Sequence, residues 1–257
     1  MVPSYFLHEL TFTEVEQHLT QSAGLIVPIG ATEPSDASTI LGASSLCCRQ
    51  LAFSCAVKNS YLCSPVLPVS CSVPFSAFGG TAGVKPRTFS NFLLELMRGW
   101  AGQGFKNFIL IDAGSYNQEA IALMITRIKK SFPDRRISVL SLHNDHRIKE
   151  FIKIRNKTDK FGLIAYGIRS IAAFLDKTAI HDNLSSGIKI KTAGEIEYAT
   201  WRKRGKDPQM FRKLFPLANA TEDIAAGDAD FGKELFGYIL TLLDEYAASI
   251  FPERNPE

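Results

Sequence analysis

The chain has 257 residues, 46% of them apolar, and its 29 Lys and Arg against 26 Asp and Glu give a formal net charge of +3. Intrinsic disorder is excluded, because it needs low hydrophobicity and high net charge; collagen-like, coiled-coil and mucin-like compositions are excluded as well. The charge excess is too small by itself to mark a nucleic-acid binder, and the apolar share is enough for a core that needs no covalent staples.

The elements alternate helix and strand. A short helix is expected over 13–19, then a buried strand over 25–29 that stops at Gly30. A long turn, 31–40, leads into a helix over 41–57. A short strand is expected at 65–69, where prolines point to a sheet edge or irregular pairing. Residues 70–87 form a Gly/Pro/Ser-rich loop longer than a plain connection, and such loops tend to carry function. Within it, Gly79-Gly80-Thr81-Ala82-Gly83 lacks the Lys-Ser/Thr pair of a phosphate loop and reads as a tight turn. Phe89, Phe92, Leu93, Leu96, Met97 and Trp100 then form one apolar helical stripe, with Thr88 as the expected cap and Gly102 and Gly104 at its end. A fully apolar strand, 108–111, stops at Asp112; a small-residue turn and a helix over 117–130 follow. The next strand, 137–140, ends in His143-Asn144-Asp145-His146. Residues 155–190 give no clear periodicity, whereas helices are expected over 193–204 and about 231–248. The rhythm predicts right-handed crossovers and a mainly parallel sheet, with no internal repeat or linker, so a single domain over 1–257.

The charge is unevenly placed. Residues 127–160 carry a local +7 and residues 214–257 a local −7. Two solvated helix faces are the plain reading; complementary faces between subunits are the other. The apolar runs are strand-sized, well short of the roughly 20 residues of a membrane helix. The start of the chain, Met1-Val2-Pro3-Ser4-Tyr5, has no basic region followed by an apolar run, so no secretory leader is expected. Cys47, Cys48, Cys55, Cys63 and Cys71 form neither a disulfide framework nor a metal pair, which suits a reduced, cytoplasmic protein. Cys71 lies in the long loop without a base to activate it, and Trp201-Arg202-Lys203-Arg204 reads as a solvated basic helix end.

In an open parallel sheet, ligands bind beyond the carboxyl ends of the strands. Those ends deliver Glu33, the loop 70–87, the run from Asp112 to Asn117, and His143, Asp145 and His146; Glu195 opens a later helix that can border the same crevice. Loop-forming roles for the same residues are an equal alternative.

These residues also carry a resemblance. Pro28-Ile29-Gly30-Ala31-Thr32-Glu33 with Leu41-Gly42, the Gly80-Thr81 pair, Gly102-Gln103-Gly104-Phe105-Lys106-Asn107, Asp112-Ala113-Gly114-Ser115-Tyr116-Asn117, Thr192-Ala193-Gly194-Glu195-Ile196-Glu197 and Gly227-Asp228 resemble, in order, segments of the creatininase (creatinine amidohydrolase) family. The resemblance implies a three-layer α/β/α sandwich, a homo-oligomer, often a hexamer, and a pair of divalent ions, zinc or manganese, that activate water against a cyclic amide. Glu33 and Glu195 stand at family carboxylates. Family ligand positions are occupied here by Ser35, Ser38, Ser44 and Gly114, and a histidine near the reacting amide is replaced by Thr192. Serine hydroxyls are poor zinc ligands and glycine supplies none. The metal centre is therefore expected to be absent or reduced to one ion, with Glu33, Asp112, His143, His146 and Glu195 as its candidate ligands. Glu33 and Glu195 are the expected catalytic acid and base, and Ser35, Asp112, Ser115, Asn117 and Thr192 the expected contacts to a small-molecule substrate. Two functions stay open: a divergent hydrolase of amide C–N bonds, and a non-catalytic binder or partner subunit. Nucleic-acid and membrane partners are not expected.

Overall fold

The computed structural model describes residues 4–156, 162–181, 195–203, 206–218 and 228–250, except for the side chain of Glu195. In chain order these hold α1 (Phe12–Leu19), β1 (Gly24–Ile29), α2 (Ala43–Asn59), β2 (Leu62–Cys63), α3 (Pro86–Gly102), β3 (Asn107–Asp112), α4 (Gln118–Ser131), β4 (Arg136–Ser141), α5 (His146–Asn156), α6 (Leu163–Leu175), α7 (Glu195–Lys203), α8 (Pro208–Leu214) and α9 (Ala229–Ile250).

The four strands form one parallel sheet in the order β2-β1-β3-β4. Its register explains the apolar runs. Leu25, Val27 and Ile29 on β1 share a face with Phe108 and Leu110 on β3 and bury against α3 and α4. Ile26, Ile109, Ile111 and Leu140 point to the other face, under α2, α5, α6 and α9. A strand covered on both faces has no polar side, so its sequence reads as a continuous apolar run. The result is the expected mixed α/β fold with helices on both sides of a parallel sheet.

The boundaries depart from the sequence reading where local chemistry decides them. Helix α3 starts three residues early because Pro86, with its fixed φ and missing N–H, suits the first helical position; Lys85, not Thr88, precedes it. Edge strand β2 lies at Leu62–Cys63 rather than 65–69. Ser64 N donates to Ile26 O at 2.9 Å and Leu67 N to Pro28 O at 3.0 Å. Three residues on this side therefore oppose two on β1, a bulge placed where Pro28 has no N–H to offer. Helix α6 fills the stretch without periodicity. It packs between α2 and α9 with eight buried residues and is apolar around most of its circumference. Its contact with α9 is a backbone crossing: a Cβ on Gly232 would lie 1.9 Å from the Ser170 carbonyl oxygen.

The basic and acidic segments meet inside the chain. Arg147 on α5 donates to Glu245 on α9 at 3.0 Å, and Arg155 pairs with Glu234 about two to three turns further along the same two helices. The charge asymmetry thus serves an intramolecular helix contact at these pairs. Among the described residues, no helix is long and apolar enough to cross a membrane. All five cysteines are free and buried, and Cys47, Cys48 and Cys55 pack on α2 as expected.

Candidate functional site

The carboxyl ends of β1, β3 and β4 converge as the topology requires. Ala31 and Glu33 follow β1, Asp112 ends β3, and His143 follows β4. Glu33 is 3% exposed, Asp112 and Asn117 are fully buried, and Ser115 and His143 are half-buried at the open side.

Hydroxyl groups enclose the Glu33 carboxylate. Ser115 donates to Oε1 through both its hydroxyl, at 2.7 Å, and its backbone N–H, at 3.1 Å. Ser72 donates to Oε2 by a short contact and Ser70 to the same oxygen at 3.4 Å. Burial pushes the Glu33 pKa upward, and these hydrogen bonds oppose it. Asp112 lies deeper. Its Oδ1 accepts from Asn117 Nδ2 at 2.8 Å and Gly114 N at 3.2 Å, and its Oδ2 accepts from Ser141 Oγ at 3.1 Å. Burial pushes its carboxyl up to about 7.

Asn117 ties this network to the long loop. Its Oδ1 accepts from Cys71 N at 2.8 Å while its Nδ2 faces Asp112. Because the carboxamide is turned inward, it does not cap α4. Gly114 is required by the same packing: a Cβ there would lie 2.3 Å from Asn117 Nδ2 and 3.0 Å from Ser70 Cβ. His143 presents Nε2 to Ser115 Oγ at 3.5 Å. Burial lowers its pKa to about 4 against a hydrogen bond to the Ala113 backbone, so the ring is neutral near pH 7.

The turn 31–42 is anchored from behind. Asp36 accepts from Arg169 Nη1 at 3.0 Å, from Ser38 N at 2.7 Å and from Thr39 Oγ1 at 2.7 Å. Arg169 also donates to Ser38 Oγ at 2.6 Å. Both ion-pair partners are buried, as are Ser35 and Ser38. The loop 70–87 lies against this turn, with Ala82 N donating to Thr32 O at 2.9 Å and the tight turn resting on Gly80 at φ +80°. Phe75 from that loop packs edge-on to Phe211 of α8 and against Tyr116, the neighbour of Ser115. Trp201, expected on a solvated helix end, is instead fully buried in this aromatic cluster.

Of the sequence candidates, the fold brings Glu33, Asp112, Ser115, Asn117 and His143 into one network. His146 is exposed on the first turn of α5, where Asp145 accepts from Arg147 N at 2.8 Å as a helix start. Ser35 is buried on the turn 31–42. Thr192 and the side chain of Glu195 lie outside the described residues. The thiol of Cys71 is pushed up to about 12 by burial and stays protonated near neutrality. Ser70, Ser72 and Ser141 join the site without having been singled out; for Ser70 and Ser72 the density of serine between 64 and 76 was the available signal. Among the described residues no three of His, Cys, Asp and Glu come together as a metal cage.

Residues 8–167, more than half of the chain, match the family model "Creatininase: Creatinine amidohydrolase". The chain belongs to the creatininase family. A curated relative, the 3-dehydro-scyllo-inosose hydrolase of Thermotoga maritima, is 24% identical over 155 residues, which is 59% of this chain and 49% of the relative. The chain thus aligns with about half the length of that relative. Among solved structures, a creatinine amidohydrolase (creatininase) superposes with a TM-score of 0.79 at 15% identity, covering 98% of this chain and 100% of that one. A mutant creatininase complexed with creatine gives 0.75 at 16% identity, covering 97% and 99%. At these identities the structural likeness establishes the creatininase fold.

Proposed function

We propose that this creatininase-family chain keeps the crevice of a C–N hydrolase but has lost its dinuclear metal centre, and that the crevice takes a small, uncharged, polar ring compound. Gly114 carries the reading. It stands at a family ligand position, and the space an imidazole would need is filled by the Asn117 carboxamide, 2.3 Å from a Cβ built there. The remaining carboxylates support it too. Both oxygens of Glu33 and both of Asp112 already accept hydrogen bonds from neighbouring hydroxyl, amide and carboxamide groups, and Ser35 and Ser38 offer only hydroxyls where imidazoles are the family ligands. A pair of divalent ions does not fit the donors described. The ring-compound class follows from the hydroxyl-lined crevice and from the family's cyclic substrates.

Metal content and thermal unfolding test this directly. The protein is purified, stripped with EDTA, incubated with zinc or manganese, desalted and measured. Less than one ion per chain and an unchanged Tm are expected, because an ion that binds only the folded state must raise Tm by mass action. Two retained ions per chain with a raised Tm would overturn the reading. The same proposal takes the chain as a subunit of a cytoplasmic homo-oligomer, which light scattering after gel filtration measures.

A further inference from the structure

We propose that Ser115 is a nucleophile for acyl transfer, with Glu33 accepting its proton. The inference rests on the metal-free reading of the crevice and adds the chemistry that works there.

The placement is that of an activated serine. Ser115 sits in the turn between β3 and α4, at the carboxyl end of the parallel sheet. It is half-buried while Glu33 behind it is almost fully buried, so a compound entering from solvent meets the hydroxyl before the carboxylate. Ser115 Oγ lies 2.7 Å from Glu33 Oε1, well within proton-transfer reach. The backbone N–H of Ser115 holds the same oxygen at 3.1 Å, which fixes the carboxylate relative to the hydroxyl. His143 Nε2 lies 3.5 Å from the same hydroxyl. The 14-residue helix α4 begins immediately downstream, and the inward-turned Asn117 leaves its first turn without a side-chain cap. Uncapped helix amides with the positive end of the dipole favour an oxyanion beside them.

The reaction balances within these groups. Ser115 Oγ attacks the acyl carbon of an ester or amide as its proton passes to Glu33. The C–O or C–N bond breaks, and Glu33 returns the proton to the leaving alcohol or amine. A water then gives its proton to Glu33 and attacks the acyl-serine. The acid departs as Ser115 recovers the proton.

The test is labelling of the EDTA-treated protein with a fluorophosphonate, in which an O–P bond forms and fluoride leaves, followed by peptide mass mapping. Stoichiometric modification of Ser115 is expected, with none at this peptide in Ser115→Ala. Glu33→Gln is expected to slow labelling at least about 100-fold, with circular dichroism confirming that it folds. p-Nitrophenyl acetate should give a burst of one nitrophenolate per chain. Absence of label on wild-type Ser115 overturns the inference, and so does a Glu33→Gln rate equal to wild type. Metal uptake is measured on separate samples: a metal-free chain that resists labelling sinks only the serine chemistry, whereas two bound ions sink the reading beneath it.

Discussion

Asp112 makes folding stability depend on pH in an unusual direction. Its carboxyl is pushed from the ordinary 3.8 up to about 7 by burial in the native protein. The unfolded chain therefore loses this proton near pH 4, whereas the native chain holds it until near pH 7. Stability from this group is fully present below pH 4 and is lost as pH rises toward 7. A displacement of about three pH units corresponds to about 4 kcal/mol, an upper bound for a group that also accepts three hydrogen bonds. Asp112→Asn reproduces the neutral form. Its carbonyl can serve Asn117 and Gly114, and its NH2 can donate to Ser141 Oγ, a hydroxyl able to accept as well as donate. Urea unfolding of both proteins in EDTA is followed at pH 4.5 and pH 8. The Asn variant should gain on wild type by about 2–4 kcal/mol between the two, since every other titrating group is common to both. An equal difference at the two pH values, or a variant that loses ground at pH 8, would show that the native pocket holds Asp112 as a stabilised anion and would refute the reasoning.

Two further outcomes follow from buried groups. Arg169→Met leaves the Asp36 carboxylate buried without its cation and should lower unfolding free energy by about 3 kcal/mol or more, with Asp36→Asn in the same chain recovering part of it; a loss below about 1 kcal/mol would mean that the turn 31–42 does not depend on this pair. The five cysteines should resist iodoacetamide at pH 8 in the native state and all react in denaturant, because burial pushes each thiol upward and mass spectrometry counts the adducts. Prompt native-state alkylation of Cys71 would show the long loop to be open.

What could be read in advance followed one rule: elements declare themselves when burial is one-sided or complete over a strand's length. Strands β1 and β3 are short apolar runs between turn residues, and α3 has a clean stripe, so all three were visible. Helix α6 was not separated from the Gly- and Lys-containing runs around it, although it packs against both α2 and α9. β2 was displaced because its pairing is set by Leu25 and Ile26, 37 positions earlier in the chain. The site divides in the same way. Glu33, Asp112, Ser115, Asn117 and His143 lie at strand ends, where parallel topology alone gathers polar residues. Ser70 and Ser72 reach Glu33 from a loop without periodicity, and Arg169 meets Asp36 across more than 130 residues of sequence. Such contacts belong to the tertiary fold and leave no local trace.

The proline-marked bulge beside β1 also governs what the sheet can do with strangers. Tyr5 O already accepts from Cys63 N at 2.7 Å, so the outer rim of β2 is occupied by the chain's own start. Beyond it, Pro65 and Pro68 have no amide hydrogen with which to welcome an incoming segment. A foreign strand sliding along that rim finds its footholds taken or missing, which guards a hydrophobic sheet against open-ended stacking into fibrils.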